Sequence, residues 1–125
     1  MKITLSDGEW KLMNRLWDDA PRTITELVAA LREETGWSKN TVITMLGRLE
    51  AKGAVRHEEG QRAKLYYPVT DREDAARTET ESFLDKVYGG SLGLMMSAMV
   101  DSRALSEADI AELSAILDKA GGDKS

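Results

Sequence analysis

At 125 residues the chain is long enough for one complete domain, or a small domain with an appendage, and too short for two large ones. It has no cysteine, which removes disulfides and thiolate metal sites, and no stretch resembles a membrane span or a signal peptide, so a cytoplasmic protein without cofactor or metal is expected. The formal net charge of -5 is unevenly spread: residues 1–70 carry 11 Lys+Arg against 10 Asp+Glu, and residues 71–125 carry 6 against 12, so the acidity that would repel nucleic acid sits in the second part.

Ser6-Asp7-Gly8-Glu9 has the form of a capping box, with Leu5 and Trp10 placed as a hydrophobic staple. The spacing of Trp10, Met13 and Trp17, widened by Leu12 and Leu16, predicts a first helix that Pro21 stops. Thr23-Ile24-Thr25-Glu26 is a second capping box, and Ile24, Leu27, Val28 and Leu31 mark a second helix running to Gly36. A third helix is expected from the N-cap Ser38, with Val42, Met45, Leu46 and Leu49 facing inward and Gly53 ending it.

Residues 54–67 then read as two short strands around a charged turn centred on Gly60, with Ala63, Leu65 and Tyr67 expected inside and Arg62, Lys64 and Tyr66 outside. Three short helices, each with one apolar face, close a core only on one another, and a hairpin covers the open side. The expected fold class is mainly α with a small β-hairpin wing: a winged helix-turn-helix domain plus a C-terminal helical dimerisation arm.

The outward face of the third helix carries Asn40, Thr44 and Arg48 at i, i+4 and i+8, flanked by Lys39, Thr41, Ile43 and Gly47. Arg suits guanine, Asn adenine, Thr a base or phosphate, and Ile a thymine methyl. Gly47 costs about 1 kcal/mol relative to Ala in a helix interior. Close approach to a partner surface, or close packing against another helix, would account for it. Within residues 36–67 six basic side chains (Lys39, Arg48, Lys52, Arg56, Arg62, Lys64) stand against Glu50, Glu58 and Glu59, a modest footprint for phosphate.

In the second part, Thr70-Asp71-Arg72-Glu73 reads as a capping box, and Ala76, Thr80, Phe83, Leu84 and Val87 trace a thin apolar stripe up to Gly89-Gly90. Leu92, Met95, Met96 and Met99 form a strongly apolar segment. Leu105 to Ile110 combine a cap with a staple ahead of Leu113, Ile116 and Leu117. So much apolar surface with so little core of its own calls for a second copy of the chain. A soft Cu(I) site would also use methionine sulfur, but packing by adaptable side chains accounts for the methionines better.

No catalytic constellation assembles from these residues. The single His57 lies on the hairpin among charged neighbours, the acidic pairs Asp18-Asp19, Glu33-Glu34 and Glu58-Glu59 lie at helix ends and turns, and Gly89-Gly90 separates two helices and does not follow a strand. The competing class is a winged helix that binds protein without reading DNA.

Trp10 in Ser-Asp-Gly-Glu-Trp, Leu16-Trp17, the run from Trp37 and Ser38 through Thr41, Val42, Thr44, Met45, Leu46, Arg48 and Leu49 to Lys52-Gly53, Tyr66-x-Pro68, Ser82-Phe83-Leu84 and Tyr88-Gly-Gly together resemble the penicillinase-repressor family (BlaI/MecI/CopY type) over nearly the whole chain. The resemblance implies a homodimeric repressor on a pseudo-palindromic operator in double-stranded DNA, with a DNA-binding domain at 1–70 and a dimerisation domain at 71–125. It implies recognition-helix contacts from Thr41, Thr44 and Arg48, beside Ser38, Lys39 and Asn40, and wing contacts from Arg62 or Lys64. Asn40 stands where some members carry a basic residue. The copper-responsive branch has a cysteine-rich C-terminus, absent here. In the antibiotic-responsive branch a sensor protease cuts the arm, which by similarity places the cut near Ala98–Met99, although the Asn-Phe type of pair found in that branch is missing from this sequence.

Overall fold

A computed structural model describes residues 3–122. Their contacts gather into two compact units that divide between Glu81 and Ser82.

The first unit begins with α1 (Asp7–Asp18), α2 (Ile24–Thr35) and α3 (Lys39–Ala51). The helices start where local chemistry dictates. The Ser6 hydroxyl accepts from the Glu9 N–H at 3.2 Å while the Ser6 N–H donates to Glu9 Oε1 at 2.7 Å. Thr23 and Glu26 repeat the exchange at 3.1 and 2.9 Å, and each such cap is worth about 1 kcal/mol. Gly36, at φ 66°, closes α2 in the left-handed conformation that a side chain would resist, so the Ser38 cap of α3 follows only two residues later. Leu12, Leu16, Leu27, Leu31, Leu46 and Leu49 are each at most 1% exposed, and truncating any one to Ala should cost about 2–5 kcal/mol. Trp37, in the turn before α3, packs against α1 at Gly8, where a Cβ would meet its ring at 3.3 Å and the end of Met45 closer still.

The hairpin is β1 (Val55–Glu59) paired antiparallel with β2 (Lys64–Pro68), in the register Val55↔Pro68, His57↔Tyr66 and Glu59↔Lys64. Tyr66 also exchanges backbone hydrogen bonds with Arg22 at 2.9 and 3.2 Å, which adds a one-residue third edge.

This overturns the expected phase of the strand. Tyr66 faces the core at 7% exposure, while Ala63 is exposed and Leu65 and Tyr67 are only half-buried. Ala63 belongs to the turn, where its carbonyl accepts from the Gly60 N–H at 3.0 Å. The alternation therefore starts at Lys64, and the ring of Tyr66 joins Val55 beneath the sheet.

α4 (Arg72–Tyr88) follows. Its cap is Asp71 and not Thr70: Asp71 Oδ1 accepts from the Asp74 N–H at 2.8 Å. Thr70 is occupied elsewhere, with its carbonyl accepting from the Trp17 indole at 3.0 Å and its N–H donating to Ala54. Arg72 adds an ion pair with Asp18 at 2.7 Å. The residue of α4 that enters the core is Ala75, 4% exposed, one position before the expected Ala76, which is exposed.

In the second unit α4 ends at Gly89 and Gly90, whose φ values of 58° and 85° only glycine takes readily. α5 (Leu92–Asp101) is capped by Ser91, and α6 (Glu107–Gly122) by a Ser106–Asp109 capping box. α5 contains no buried residue. Among the described residues no helix is long and apolar enough to cross a membrane.

Candidate nucleic-acid interface

α3 separates its two faces cleanly. Val42, Leu46 and Leu49 hold it to the core, while Lys39, Asn40, Thr44, Gly47 and Arg48 are exposed and Ile43 is 43% exposed. Asn40, Thr41, Thr44 and Arg48, with Met45 as floor, line one open groove. Ser38 and Thr41 are partly committed to each other: the Ser38 hydroxyl accepts from the Thr41 N–H at 3.2 Å and lies 3.1 Å from the Thr41 hydroxyl. A Cβ built on Gly47 meets no heavy atom within 4 Å, so packing inside the chain is not the reason for that glycine.

The cations differ in what holds them. Lys52, counted above among the six basic side chains near this face, is turned the other way. Its ammonium donates to Glu9 Oε1 at 2.5 Å and to the Thr4 carbonyl at 2.8 Å. Glu9, only 2% exposed, thus serves both the cap of α1 and the residue that ends α3. Burial raises the Glu9 carboxyl, but the hydrogen bonds from Lys52 and from Ser6, with the Lys52 charge, hold it below its ordinary 4.5.

Arg56 is also engaged, lying 4.1 Å over the Tyr67 ring and 3.0 Å from Glu58. Hydrogen bonds from Tyr67 and Arg56 lower the Glu58 carboxyl, and the same contact with Glu58 raises the Tyr67 phenol. Lys39, Arg48, Arg62 and Lys64 have no ion-pair partner among the described residues; Arg62 sits exposed in the hairpin turn and Lys64 exposed at the start of β2. They are the cations left to meet an external anion.

The Glu9–Lys52 pair and the bond between His57 and Glu50 are not legible in the sequence. Glu9 was visible only as part of a cap, and the spacing of 43 residues to Lys52 carries no local signal.

The residues expected to make a dimer surface differ in exposure. Phe83, Val87, Leu92, Ile110 and Leu117 are 43–58% exposed, and Leu84, Met95, Met96, Met99 and Leu113 are half-buried. Ala98 and Met99 lie inside α5. Among the described residues no group of three or more His, Cys, Asp or Glu could hold a metal ion.

A three-helix core, a two-stranded wing and a bare polar line along the third helix define a winged helix-turn-helix protein, the architecture in which such a helix enters the major groove. The model of the penicillinase repressor family matches residues 5–119, and the chain belongs to that family. It is similar to the penicillinase repressor of Bacillus licheniformis, with 33% identity over 115 residues, 92% of this chain and 90% of that protein. The methicillin resistance regulatory protein MecI of Staphylococcus aureus is 27% identical over 92% of this chain and 94% of its own. Among solved structures, monomeric Bacillus licheniformis BlaI in complex with the blaP half-operator matches with a TM-score of 0.51 and 34% identity, covering 57% of this chain and 87% of that one.

Proposed function

We propose that the chain is a cytoplasmic, non-enzymatic transcriptional repressor that binds a pseudo-palindromic operator as a homodimer and blocks transcription by occupancy. Residues 1–70 read DNA and residues 71–125 dimerise. The observation that carries the reading is the outward face of α3, where Asn40, Thr44 and Arg48 project from a helix locked to the core and Gly47 leaves the surface bare between them. The similarity to a BlaI domain solved on its half-operator supports the same geometry.

Ser38, Lys39 and Thr41 meet the backbone beside the base contacts, and Arg62 and Lys64 meet phosphate from the wing. The exposed Val87, Leu92, Ile110 and Leu117 support a twofold partner, since an isolated chain gains nothing by leaving them in water. Each recognition helix then takes one half-site, spaced by about one helical turn or a multiple of it. A sensor protease acting at Ala98–Met99 would relieve repression by dividing the arm, and it must first unwind α5 to reach that bond.

The test is fluorescence anisotropy of the full chain, across salt concentrations, on a duplex taken from upstream of its own reading frame and on a random-sequence duplex of equal length. Tighter binding to the first is expected. Equal affinity for both rejects the repressor reading.

A further inference from the structure

The hairpin is fastened by backbone bonds at its root, on the Ala54 carbonyl, and at its middle rung, on Arg22. The Val69 and Thr70 N–H groups donate to the Ala54 carbonyl at 2.8 and 3.4 Å, and Tyr66 bonds to the backbone of Arg22. On that same rung, from the β1 side, one side-chain hydrogen bond among the described residues joins the hairpin to α3: His57 Nδ1 lies 2.5 Å from Glu50 Oε2. Glu50 stands on the last turn of α3, two positions after Arg48. The imidazole shares the inner face of the hairpin with its cross-strand neighbour Tyr66, ring centroids 5.6 Å apart. Its Nε2 is 4.0 Å from Glu59, which is paired with Lys64 at the end of the ladder. A carboxylate, an imidazole and a second carboxylate therefore run in a row from the recognition helix to the base of the turn that carries Arg62.

We propose that His57 is a positioning residue: by bonding Glu50 it sets the wing at the angle from which Arg62 and Lys64 reach the same duplex as Arg48. This rests on the DNA-binding reading above. A two-stranded hairpin has little rigidity of its own. Core burial stops near Val55 and Tyr66, and Glu58, Glu59 and the turn are solvated. Without the bond to Glu50 the β1 strand loses its side-chain link to α3, the two rungs beyond Tyr66 and the turn tilt about the Arg22 tie, and every wing contact with phosphate must first order them. The imidazole is 29% and Glu50 38% exposed, so their bond is better shielded from competing water than the Arg56–Glu58 pair on the opposite face, at 52% and 55%.

The probe is the duplex enriched from a random-sequence library by the wild-type full chain. The wing is read out by Arg62→Ala with Lys64→Ala, measured in the wild-type, His57→Leu, His57→Asn and Glu50→Ala backgrounds, each checked for an unchanged circular dichroism melt. Removing the wing cations should weaken binding about tenfold in the wild type and less than about twofold in His57→Leu, because an unpositioned wing contributes little to lose. Glu50→Ala breaks the same bond from the other side and should abolish the wing effect equally, which keeps the test intact if His57→Leu fails to fold. His57→Asn, whose amide nitrogen can stand near Nδ1, should restore it; a residue needed only for folding would not alter the value of distant cations in this pattern.

An undiminished wing effect in both His57→Leu and Glu50→Ala overturns the proposal, as does a wild-type wing that contributes nothing. Failure to enrich any duplex removes the DNA reading itself, whereas enrichment with an undiminished wing effect removes only the positioning role.

Discussion

Replacing Gly47 by Ala should move stability and DNA binding in opposite directions. In the interior of an exposed helix the change is worth about 0.8–1 kcal/mol in favour of Ala, because the unfolded chain loses freedom and the helix gains propensity. Nothing offsets that gain, since the added Cβ has no heavy atom within 4 Å and Gly47 is not among the glycines with positive φ. For a unit of this size the melting temperature should rise by about 4–8 °C. On a duplex the same methyl group, one residue before Arg48, should hold the helix off the groove floor if α3 enters the major groove as proposed. Loss of one good base contact is worth about 1–3 kcal/mol, or roughly 5- to 150-fold in affinity. Circular dichroism melts and anisotropy titrations of the full chain measure the two effects separately. A Gly47→Ala protein that is more stable and binds like the wild type would refute close approach as the role of this glycine, and a destabilised one would refute the open surroundings assigned to it.

Lys52→Met keeps the aliphatic stem but strips Glu9 of its cation, and should cost about 1–3 kcal/mol in urea unfolding, toward the lower end because Lys52 is 39% exposed. Because the folded state lowers the Glu9 carboxyl, the stability linked to it is present above the unfolded value and lost as pH falls through the folded one; urea midpoints between about pH 5 and pH 2 should decline less steeply in Lys52→Met than in the wild type. An equal slope would mean that another carboxylate controls acid sensitivity. Arg48→Ala should cost about 1–3 kcal/mol and broaden the set of sequences bound, while Arg62→Ala should weaken all duplexes alike and flatten the salt dependence by about one unit. Leu92→Glu with Leu117→Glu changes residues 56% and 58% exposed in the single chain, so it should leave the helical signal intact while sedimentation shifts from dimer to monomer.

The helices were legible because their signals are local. Ser6, Thr23 and Ser38 lie within three residues of the amides they cap, and Val42, Leu46 and Leu49 repeat at the period of the element they occupy. The hairpin was legible as an element but not in phase. Which side of β2 faces inward is decided by where the turn ends and by pairing with Arg22, more than forty positions away, and neither leaves a trace in alternating hydrophobicity. Thr70 and Asp71 are both good caps by composition, and the claims of Trp17 and Ala54 on Thr70 decide between them. The candidate interface divides in the same way. The line Asn40, Thr44, Arg48 is a helical periodicity and could be read directly, whereas the removal of Lys52 and Arg56 from the available cations depends on Glu9, Glu58 and Tyr67, contacts that only folding creates.

The fastening of the hairpin bears on how such a protein can change over generations. Its backbone ties lie at Ala54 and Arg22, and its side-chain tie lies at His57. Beyond them the turn adds one internal hydrogen bond and a steric rule at Gly60, where a Cβ would run into the Ala63 carbonyl. Gln61 and Arg62 are exposed. Lengthening a solvated turn by a residue or two carries an entropic penalty of well under about 1 kcal/mol, so this tip is free to drift, acquire charge or grow while the three-helix body stays as it is. Paralogues sharing that body could thus diverge in which stretch of backbone they grip by exchanging a few codons at one loop.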